Sequence, residues 1–194
     1  MNLPNRITLF RLCLAPLFIL FFFLGRIDPS LTFAGKVGAI LVAFLFELTD
    51  FLDGYIARRR GLVTELGKFL DPFADSVSRF TVFLCFLGAG YAEIWMAAII
   101  FYRDSLVANL RIAAASRNLI IAARSSGKIK ALVQGAAIFL ILVLDIARSS
   151  GLDAAGTHFA QVCFWSMTVV TIVTGLSAVD YIAGNRQVIK SMKS

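Results

Sequence analysis

The sequence predicts an all-α membrane protein: a single domain over residues 1–194 with six transmembrane helices. Composition is the first observation, since 59% of the residues are hydrophobic and 16% are charged, against about 45–50% and about 25% in soluble globular proteins. The second is that the apolar residues form continuous stretches of about 20 residues, enough for a helix to cross a bilayer core. These observations argue against a soluble enzyme, a disordered protein, a disulfide scaffold and a transmembrane β-barrel, whose strands alternate between apolar and polar residues.

The six predicted spans follow one another along the chain. They cover about residues 7–24, 31–52, 69–87, 91–115, 129–146 and 159–182. Glycine, proline and serine punctuate the gaps between them. Among the basic residues that flank the spans, only Arg26, Lys36 and Arg148 fall on one side, and the rest fall on the side of both termini. Because loops rich in Lys and Arg stay in the cytoplasm, we expect both termini on the cytoplasmic side. The membrane itself is expected to be the cell's inner (cytoplasmic) membrane.

The net charge of +7 narrows the class of partner. A basic protein can bind nucleic acid, anionic lipid or phosphate-bearing substrates. The sequence offers no soluble domain that could present a basic face to nucleic acid. Membrane lipid and phosphorylated small molecules are therefore the expected partners.

Four aspartates lie where the second predicted span ends and the third begins. Asp50 and Asp53 are three residues apart, and Asp71 and Asp75 are four apart, so each pair lies on one face of its helix. A short loop, predicted over residues 55–67, would make the two helices antiparallel neighbours. The four carboxylates are then expected to converge at the cytoplasmic ends of these helices.

Four carboxylates this close together require either protonation or bound cations. Oxygen ligands favour Mg²⁺, Mn²⁺ or Ca²⁺, and two such ions would balance four negative charges and clamp a phosphorus centre. Gly54 and Ala57 leave room beside the helix end, and Arg58 offers a planar fork for a phosphate. Gly67 allows close approach or a turn just before Asp71. The alternative without a functional site is that the carboxylates form structural ion pairs at the helix ends, Asp53 with Arg58 and Asp75 with Arg79.

This pattern resembles the motif of the CDP-alcohol phosphatidyltransferases. The match is Asp50-x-x-Asp53-Gly54-x-x-Ala57-Arg58, eight residues, then Gly67-x-x-x-Asp71-x-x-x-Asp75. The resemblance implies that the four aspartates hold two divalent cations, Mg²⁺ or Mn²⁺, and that Asp75 is also the catalytic general base. It further implies that Gly54, Ala57, Arg58 and Gly67 shape the CDP site, and that the enzyme is a homodimer.

The expected acceptor is glycerol 3-phosphate. Residues 2–11 and 125–130 resemble the corresponding parts of bacterial phosphatidylglycerophosphate synthases. Arg103 and Arg111 lie on one stripe of the fourth span, and charged residues inside a span usually face a polar cavity or each other. Lys128 and Lys130 stand where the fifth span begins. We predict that these four cations bind the acceptor phosphate.

Two positions depart from the synthase pattern, which commonly has Lys after the last aspartate and Glu after the arginine of the fourth span. Here they are Ser76 and Asp104. Asp104 keeps the charge, and Arg79, one turn after Asp75, is a candidate to compensate for the missing lysine. Arg103 or Arg111 could instead pair with Asp104 to hold the bundle together.

The sequence therefore predicts transfer of a phosphatidyl group from CDP-diacylglycerol to sn-glycerol 3-phosphate. Within the same family the rival is another acceptor: an inositol phosphate, inositol or serine. A rival of another class is a divalent-metal transporter that uses the same carboxylates, although transporter sites tend to lie near the midplane between repeated halves. A purely structural membrane protein would leave the four paired carboxylates unexplained.

Overall fold

The computed structural model describes residues 3–60, 65–115, 117, 124–151 and 158–191 of the chain. Its helices are α1 (Leu3–Ile27), α2 (Thr32–Arg60), α3 (Glu65–Gly88), α4 (Ile94–Ala115), α5 (Ser125–Ser149), α6 (Phe159–Gly184) and α7 (Arg186–Ser191), with a 3₁₀ turn at Pro29–Leu31 between α1 and α2. No strand occurs within these described residues. The all-α prediction is confirmed.

Polar and glycine residues shape the connections on one side of the bundle. The carboxylate of Asp28 caps the 3₁₀ turn by accepting a hydrogen bond from the backbone N–H of Ser30 at 2.9 Å. This bond and one from the Ser30 hydroxyl lower the pKa of Asp28. Gly90 follows α3 with φ of 76°, and Gly151 follows α5 with φ of 73°. Both turns use the left-handed region that glycine adopts without strain.

Four helices are long and apolar enough to cross a membrane: residues Asn5–Ile27, Pro29–Ile56, Ser125–Ser149 and Phe159–Gly184. This supports a membrane protein, while the count of six spans stays a prediction. The two remaining long helices carry charge within their apolar stretches. In α3 these residues are Asp71, Asp75 and Arg79, and in α4 they are Arg103, Asp104 and Arg111. The side chains predicted to carry the chemistry are thus what makes α3 and α4 less apolar.

The predicted loop over residues 55–67 is wrong. Helix α2 continues through Arg60 and α3 already begins at Glu65, so only residues 61–64, outside the described part of the chain, lie between them. Residues 55–60 contain neither glycine nor proline, and alanine and arginine favour helix. Within this last stretch of α2, Arg59 also donates a hydrogen bond to the hydroxyl of Tyr55 at 2.6 Å, one turn before it.

The six long helices pack in a closed ring. The main contacts run in the order α1, α2, α5, α6, α4, α3 and back to α1. Large side chains fill the centre, among them Phe18, Phe83, Phe86, Met96, Ile141 and Met167, all fully buried. Helices α2 and α3 touch each other only briefly, because α1 packs along both. The first helix therefore stands between the two helices that carry the aspartates.

Candidate active site

Helix α1 holds the aspartate of α2 in place. The guanidinium of Arg11 donates to Asp50 Oδ1 at 2.9 Å and to Thr49 Oγ1 at 3.2 Å. Arg11 is only 1% exposed. Burying an arginine is costly unless it is paired and hydrogen-bonded. Arg11 therefore fixes both the position of Asp50 and the seating of α1 against α2.

The aspartates of α3 are held from two sides. Thr8 of α1 donates a hydrogen bond to Asp71 Oδ1 at 2.9 Å. Arg79, one turn after Asp75 on α3, donates to Asp75 Oδ1 at 2.7 Å. The ion pair between Asp75 and Arg79 that the sequence offered as an alternative is therefore present.

Arg79 ties together three helices. Besides Asp75, its guanidinium reaches both carboxylate oxygens of Glu47 on α2, at 3.2 and 3.3 Å, and donates to the carbonyl oxygen of Ala131 on α5 at 3.0 Å. Arg79 is buried, and these contacts direct it to the acidic cluster and α5. They offer no support for the expectation that it replaces the missing lysine at the acceptor.

Three carboxylates of α2 and α3 line one small cavity. Its volume is about 10 Å³, enough for about one water molecule, and Glu47, Asp50, Asp75, Ser78 and Arg79 are among its lining residues. The hydroxyl of Ser78 is buried there and has no hydrogen-bond partner among the described residues. The structure thus brings Asp50 and Asp75 to a common space, whereas the convergence of all four aspartates stays a prediction. We call the cavity-lining residues Glu47, Asp50 and Asp75, together with Asp71 one turn before Asp75, the acidic cluster.

The donor chemistry of the acidic cluster suits a hard divalent cation. Within the described residues, hydrogen bonds to Asp50, Asp71 and Asp75 reach only Oδ1 of each side chain. Carboxylate oxygens are the ligands that Mg²⁺ and Mn²⁺ prefer. No group of three or more His, Cys, Asp or Glu side chains within the described part of the chain is gathered closely enough to hold a metal ion.

Three of the predicted site residues have side chains that lie outside the described residues. These are Asp53, Ala57 and Arg58, whose backbone belongs to α2. Gly54 is half-buried in α2, and Gly67 is buried in α3. Because Gly67 is helical, the suggested turn at this position is wrong, and close approach of a ligand is the reading that remains.

A second charged cluster lies between α4, α5 and α6. Arg103 Nη1 and Lys130 Nζ both donate to Asp104 Oδ1, each at 2.8 Å, so the two nitrogens lie no more than about 5.6 Å apart. The pairing of Arg103 with Asp104 that the sequence left open is therefore present. Lys130 is 5% exposed, and this contact supplies the opposite charge that its burial requires.

The other two predicted acceptor ligands sit nearer the surface. Arg111 Nε donates to the hydroxyl of Tyr181 at 3.3 Å, and its guanidinium carbon lies 5.7 Å from the centre of that ring. Lys128 is exposed in the first turn of α5. Just before α5, Arg124 makes a two-pronged ion pair with Asp180 of α6, at 2.7 and 2.8 Å. The hydrogen bonds and charge of Asp180 raise the pKa of Arg124.

A groove of about 320 Å³ opens between α3 and α4. Its walls are mostly apolar, with Phe73, Val77, Phe80 and Ile112 among them, and Asp104 and Arg111 also line it. An apolar groove that leads to charged side chains is suited to an amphipathic ligand with a hydrocarbon chain and a polar head.

Sequence reasoning missed several partners of the predicted residues. From the sequence, Arg11 is a flanking charge and part of the resemblance over residues 2–11, with no partner predicted. Glu47, three residues before Asp50 on the same helix face, has no predicted role, although its spacing signals one. Ser177, Asp180 and Tyr181 on α6 bind arginines from elsewhere in the chain. No local pattern marks these three, because their partners are 56 to 74 residues away in sequence.

Comparisons with known proteins agree with the motif. The profile of the family described as CDP-alcohol phosphatidyltransferase matches residues 1–183. A Bacillus subtilis protein named CDP-diacylglycerol–glycerol-3-phosphate 3-phosphatidyltransferase is 34% identical over 197 aligned positions, which cover 98% of each chain. Proteins of the same name from Rickettsia felis and Treponema pallidum are 34% and 33% identical, covering 91% and 74% of this chain and 92% and 69% of their own. The chain belongs to the CDP-alcohol phosphatidyltransferase family.

Proposed function

We propose that this protein transfers a phosphatidyl group from CDP-diacylglycerol to sn-glycerol 3-phosphate, which yields phosphatidylglycerophosphate and CMP. The family and the names of its relatives support the reaction class and both substrates. The observation that carries the acceptor is the convergence of Arg103 and Lys130 on one oxygen of Asp104. Two cations held this close can grip one phosphate group.

The acidic cluster supplies the reacting groups. Asp75 takes the proton from the acceptor hydroxyl, and the acceptor oxygen attacks the phosphorus that carries the diacylglycerol. The bond from that phosphorus to the oxygen of CMP breaks, and CMP leaves with the electron pair. Arg79 holds Asp75 in position during this step through their 2.7 Å contact.

Asp50, Asp53, Asp71 and Asp75 would hold two divalent cations, Mg²⁺ or Mn²⁺, which when bound polarise the pyrophosphate and neutralise the charge that develops on CMP. Gly54, Ala57, Arg58 and Gly67 shape the CDP site in this proposal. Arg103, Arg111, Lys128 and Lys130 bind the acceptor phosphate. The oxygen-only chemistry of the acidic cluster supports the choice of cation.

The lipid substrate reaches the site from the bilayer. Pro72 and Ser76, which line the groove between α3 and α4, immediately follow Asp71 and Asp75 in the sequence. The apolar walls of this groove can shield hydrocarbon. We place the acidic cluster and both termini on the cytoplasmic side of the inner membrane, where water hydrates the CDP head of the lipid substrate and dissolves the phosphorylated acceptor. We also propose a homodimer of this single-domain chain.

The test uses the purified protein in detergent with CDP-diacylglycerol and either Mg²⁺ or Mn²⁺. CMP release and the mass of the lipid product are measured with glycerol 3-phosphate, an inositol phosphate, inositol and serine. We expect turnover with glycerol 3-phosphate and none after removal of divalent cations by a chelator. No product from glycerol 3-phosphate, together with product from another alcohol, would overturn the proposed acceptor. Uptake of divalent cations into vesicles without any CDP-lipid would favour a transporter instead.

A further inference from the structure

One face of α6 holds three arginines that come from other parts of the chain. Ser177, Asp180 and Tyr181 are spaced i, i+3 and i+4 and therefore lie on the same side of the helix. Arg103 Nε donates to the hydroxyl of Ser177 at 2.9 Å, and Arg124 pairs with Asp180. Arg111 reaches the hydroxyl of Tyr181. We call these three α6 residues the arginine-binding face.

The contact between Arg124 and Asp180 also positions the start of α5. Arg124 stands immediately before α5 and forms two parallel hydrogen bonds with the Asp180 carboxylate, and Ser126, in the first turn of α5, donates to the same carboxylate. Bidentate pairs between arginine and a carboxylate restrict geometry more than single contacts do. Lys128 and Lys130 follow within the next turn, so their placement depends on where this turn is held.

Arg124 packs against α6 at a glycine. Arg124 lies directly over Gly184 of α6, and a β-carbon at that position would collide with the guanidinium group. The first turn of α5 also approaches Arg103 of α4, since a β-carbon at Gly127 would lie 3.7 Å from Arg103 Nη2. The start of α5, Arg103 and the arginine-binding face thus meet at one place.

Charge at this place remains in excess after pairing. The five cations are Arg103, Arg111, Arg124, Lys128 and Lys130, and the carboxylates that contact them are Asp104 and Asp180. The excess is three positive charges, and a doubly charged phosphate monoester would reduce it to one. Since Ser177 and Tyr181 are buried, the arginines they contact are held by groups that water does not displace.

We propose that Ser177, Asp180 and Tyr181 are positioning residues that set the affinity and selectivity for a phosphorylated acceptor. They act through Arg103, Arg111, Arg124 and the start of α5, and they need not touch the acceptor themselves. This inference rests on the proposed function, because it assigns these residues to the acceptor phosphate site.

The test compares Asp180→Asn, Tyr181→Phe and Gly184→Ala with the unaltered protein. Gly184→Ala complements Asp180→Asn, because the new β-carbon would take the place of the Arg124 guanidinium and make that group shift while both charges stay present. For Asp180→Asn and Gly184→Ala we expect the KM for glycerol 3-phosphate to rise about fivefold, the upper end of the effect of losing an ion pair that is partly exposed to solvent. The KM for CDP-diacylglycerol stays within about twofold, since these residues lie apart from the acidic cluster. Tyr181→Phe should give a smaller rise.

Controls separate positioning from stability. Val179→Ala removes a lipid-exposed side chain on the opposite face of α6 and should leave both KM values unchanged. Asp180→Glu keeps the charge and should restore most of the affinity. The thermal midpoint in detergent is measured for every variant. A fall in kcat together with an equal rise in both KM values would indicate a merely structural role and overturn the inference.

The sign of the effect is decisive. If Asp180 only competed with the acceptor phosphate for Arg124, Asp180→Asn would lower the KM for glycerol 3-phosphate, and the inference would be wrong. An unchanged KM in both Asp180→Asn and Gly184→Ala would also overturn it. If the unaltered protein uses only unphosphorylated alcohols, the proposed function and this inference fail together. Normal turnover of glycerol 3-phosphate with unaltered KM values in the variants would defeat the inference alone.

Discussion

The two ends of helix α2 carry charge in opposite arrangements. Near its beginning, Lys36 Nζ donates to Asp145 Oδ1 of α5 at 2.8 Å, and the hydroxyl of Tyr91 donates to the same oxygen at 2.8 Å. Fourteen residues later, about 21 Å along the helix axis, Asp50 contacts Arg11. Both places pair an acid with a base, yet they differ in which partner is buried.

At the beginning of α2 the carboxylate is the buried partner. The side chain of Asp145 is 4% exposed, and Lys36 and Tyr91 are among the residues that enclose it. At the other end the arginines are buried, and the carboxylates keep more of their surface accessible. Arg11 and Arg79 are 1% and 9% exposed, whereas Asp50, Glu47 and Asp75 are 45%, 39% and 35% exposed.

This difference separates a structural contact from a site built to meet a ligand. A carboxylate enclosed by its own donors joins helices and can accept little else. Carboxylates supported from behind by buried arginines are held rigidly while part of their surface stays accessible. The comparison predicts that changes at the Asp145 end alter stability and that changes in the acidic cluster alter turnover.

The largest effect is expected for Asp75→Asn. The amide cannot accept the proton of the acceptor hydroxyl, and loss of a general base lowers the rate by about a hundredfold to ten-thousandfold. The measurement is CMP release per molecule of folded protein, with the thermal midpoint in detergent as the control for folding. Full turnover by Asp75→Asn would remove the proposed base, and an equal loss in Asp145→Asn would erase the distinction between the two ends.

The sequence predicts more at one end of α2 than at the other. The spacing of Asp50, Asp53, Asp71 and Asp75 predicted a shared face on each helix, because helical geometry is local. Nothing local predicted the pair between Lys36 and Asp145, whose residues are 109 positions apart. Such pairs depend on which helices become neighbours, and hydropathy does not determine that order.

The same limit applies to the helix that carries Arg11 and Thr8. Sequence reasoning placed α2 and α3 directly against each other, since a short connection favours antiparallel neighbours. In the structure α1 packs along both and supplies partners to Asp50 and Asp71. The charged stretch after Asp53 is predicted as a loop, yet residues 55–60 remain helical, since alanine and arginine favour helix.

The next effect in size is expected for Asp145→Asn. It leaves the buried end of Lys36 without a matching charge, which costs about 3 kcal/mol of stability, and the thermal midpoint should fall accordingly. Turnover per folded molecule should stay within about twofold because the acidic cluster is some 20 Å away. The double variant Lys36→Met with Asp145→Leu replaces both charges by apolar groups and should recover most of the lost midpoint. Failure of the double variant to recover would show that Asp145 does more than balance Lys36.

A smaller effect is expected for Glu47→Gln. Arg79 keeps its contacts with Asp75 and the Ala131 carbonyl but loses one carboxylate partner, and that partner is partly screened by solvent. We expect kcat/KM to fall about fivefold, equivalent to about 1 kcal/mol, with little change in the thermal midpoint. Steady-state kinetics with both substrates provide the measurement. A change in stability without a change in turnover would place Glu47 with the structural contacts instead.

The smallest effect is expected for Tyr91→Phe. This change removes one hydroxyl donor from Asp145 and leaves the Lys36 contacts intact, so the carboxylate stays paired. The loss is about 0.5 kcal/mol, which in a chain of this length lowers the thermal midpoint by about 1–2 °C. Turnover should be unchanged, because the phenyl ring keeps its packing against Phe159, whose centre lies 5.1 Å away. If Tyr91→Phe lowered turnover more than stability, the enclosed carboxylate would be coupled to the acidic cluster along α2, and the two ends of that helix would have to be treated as one site.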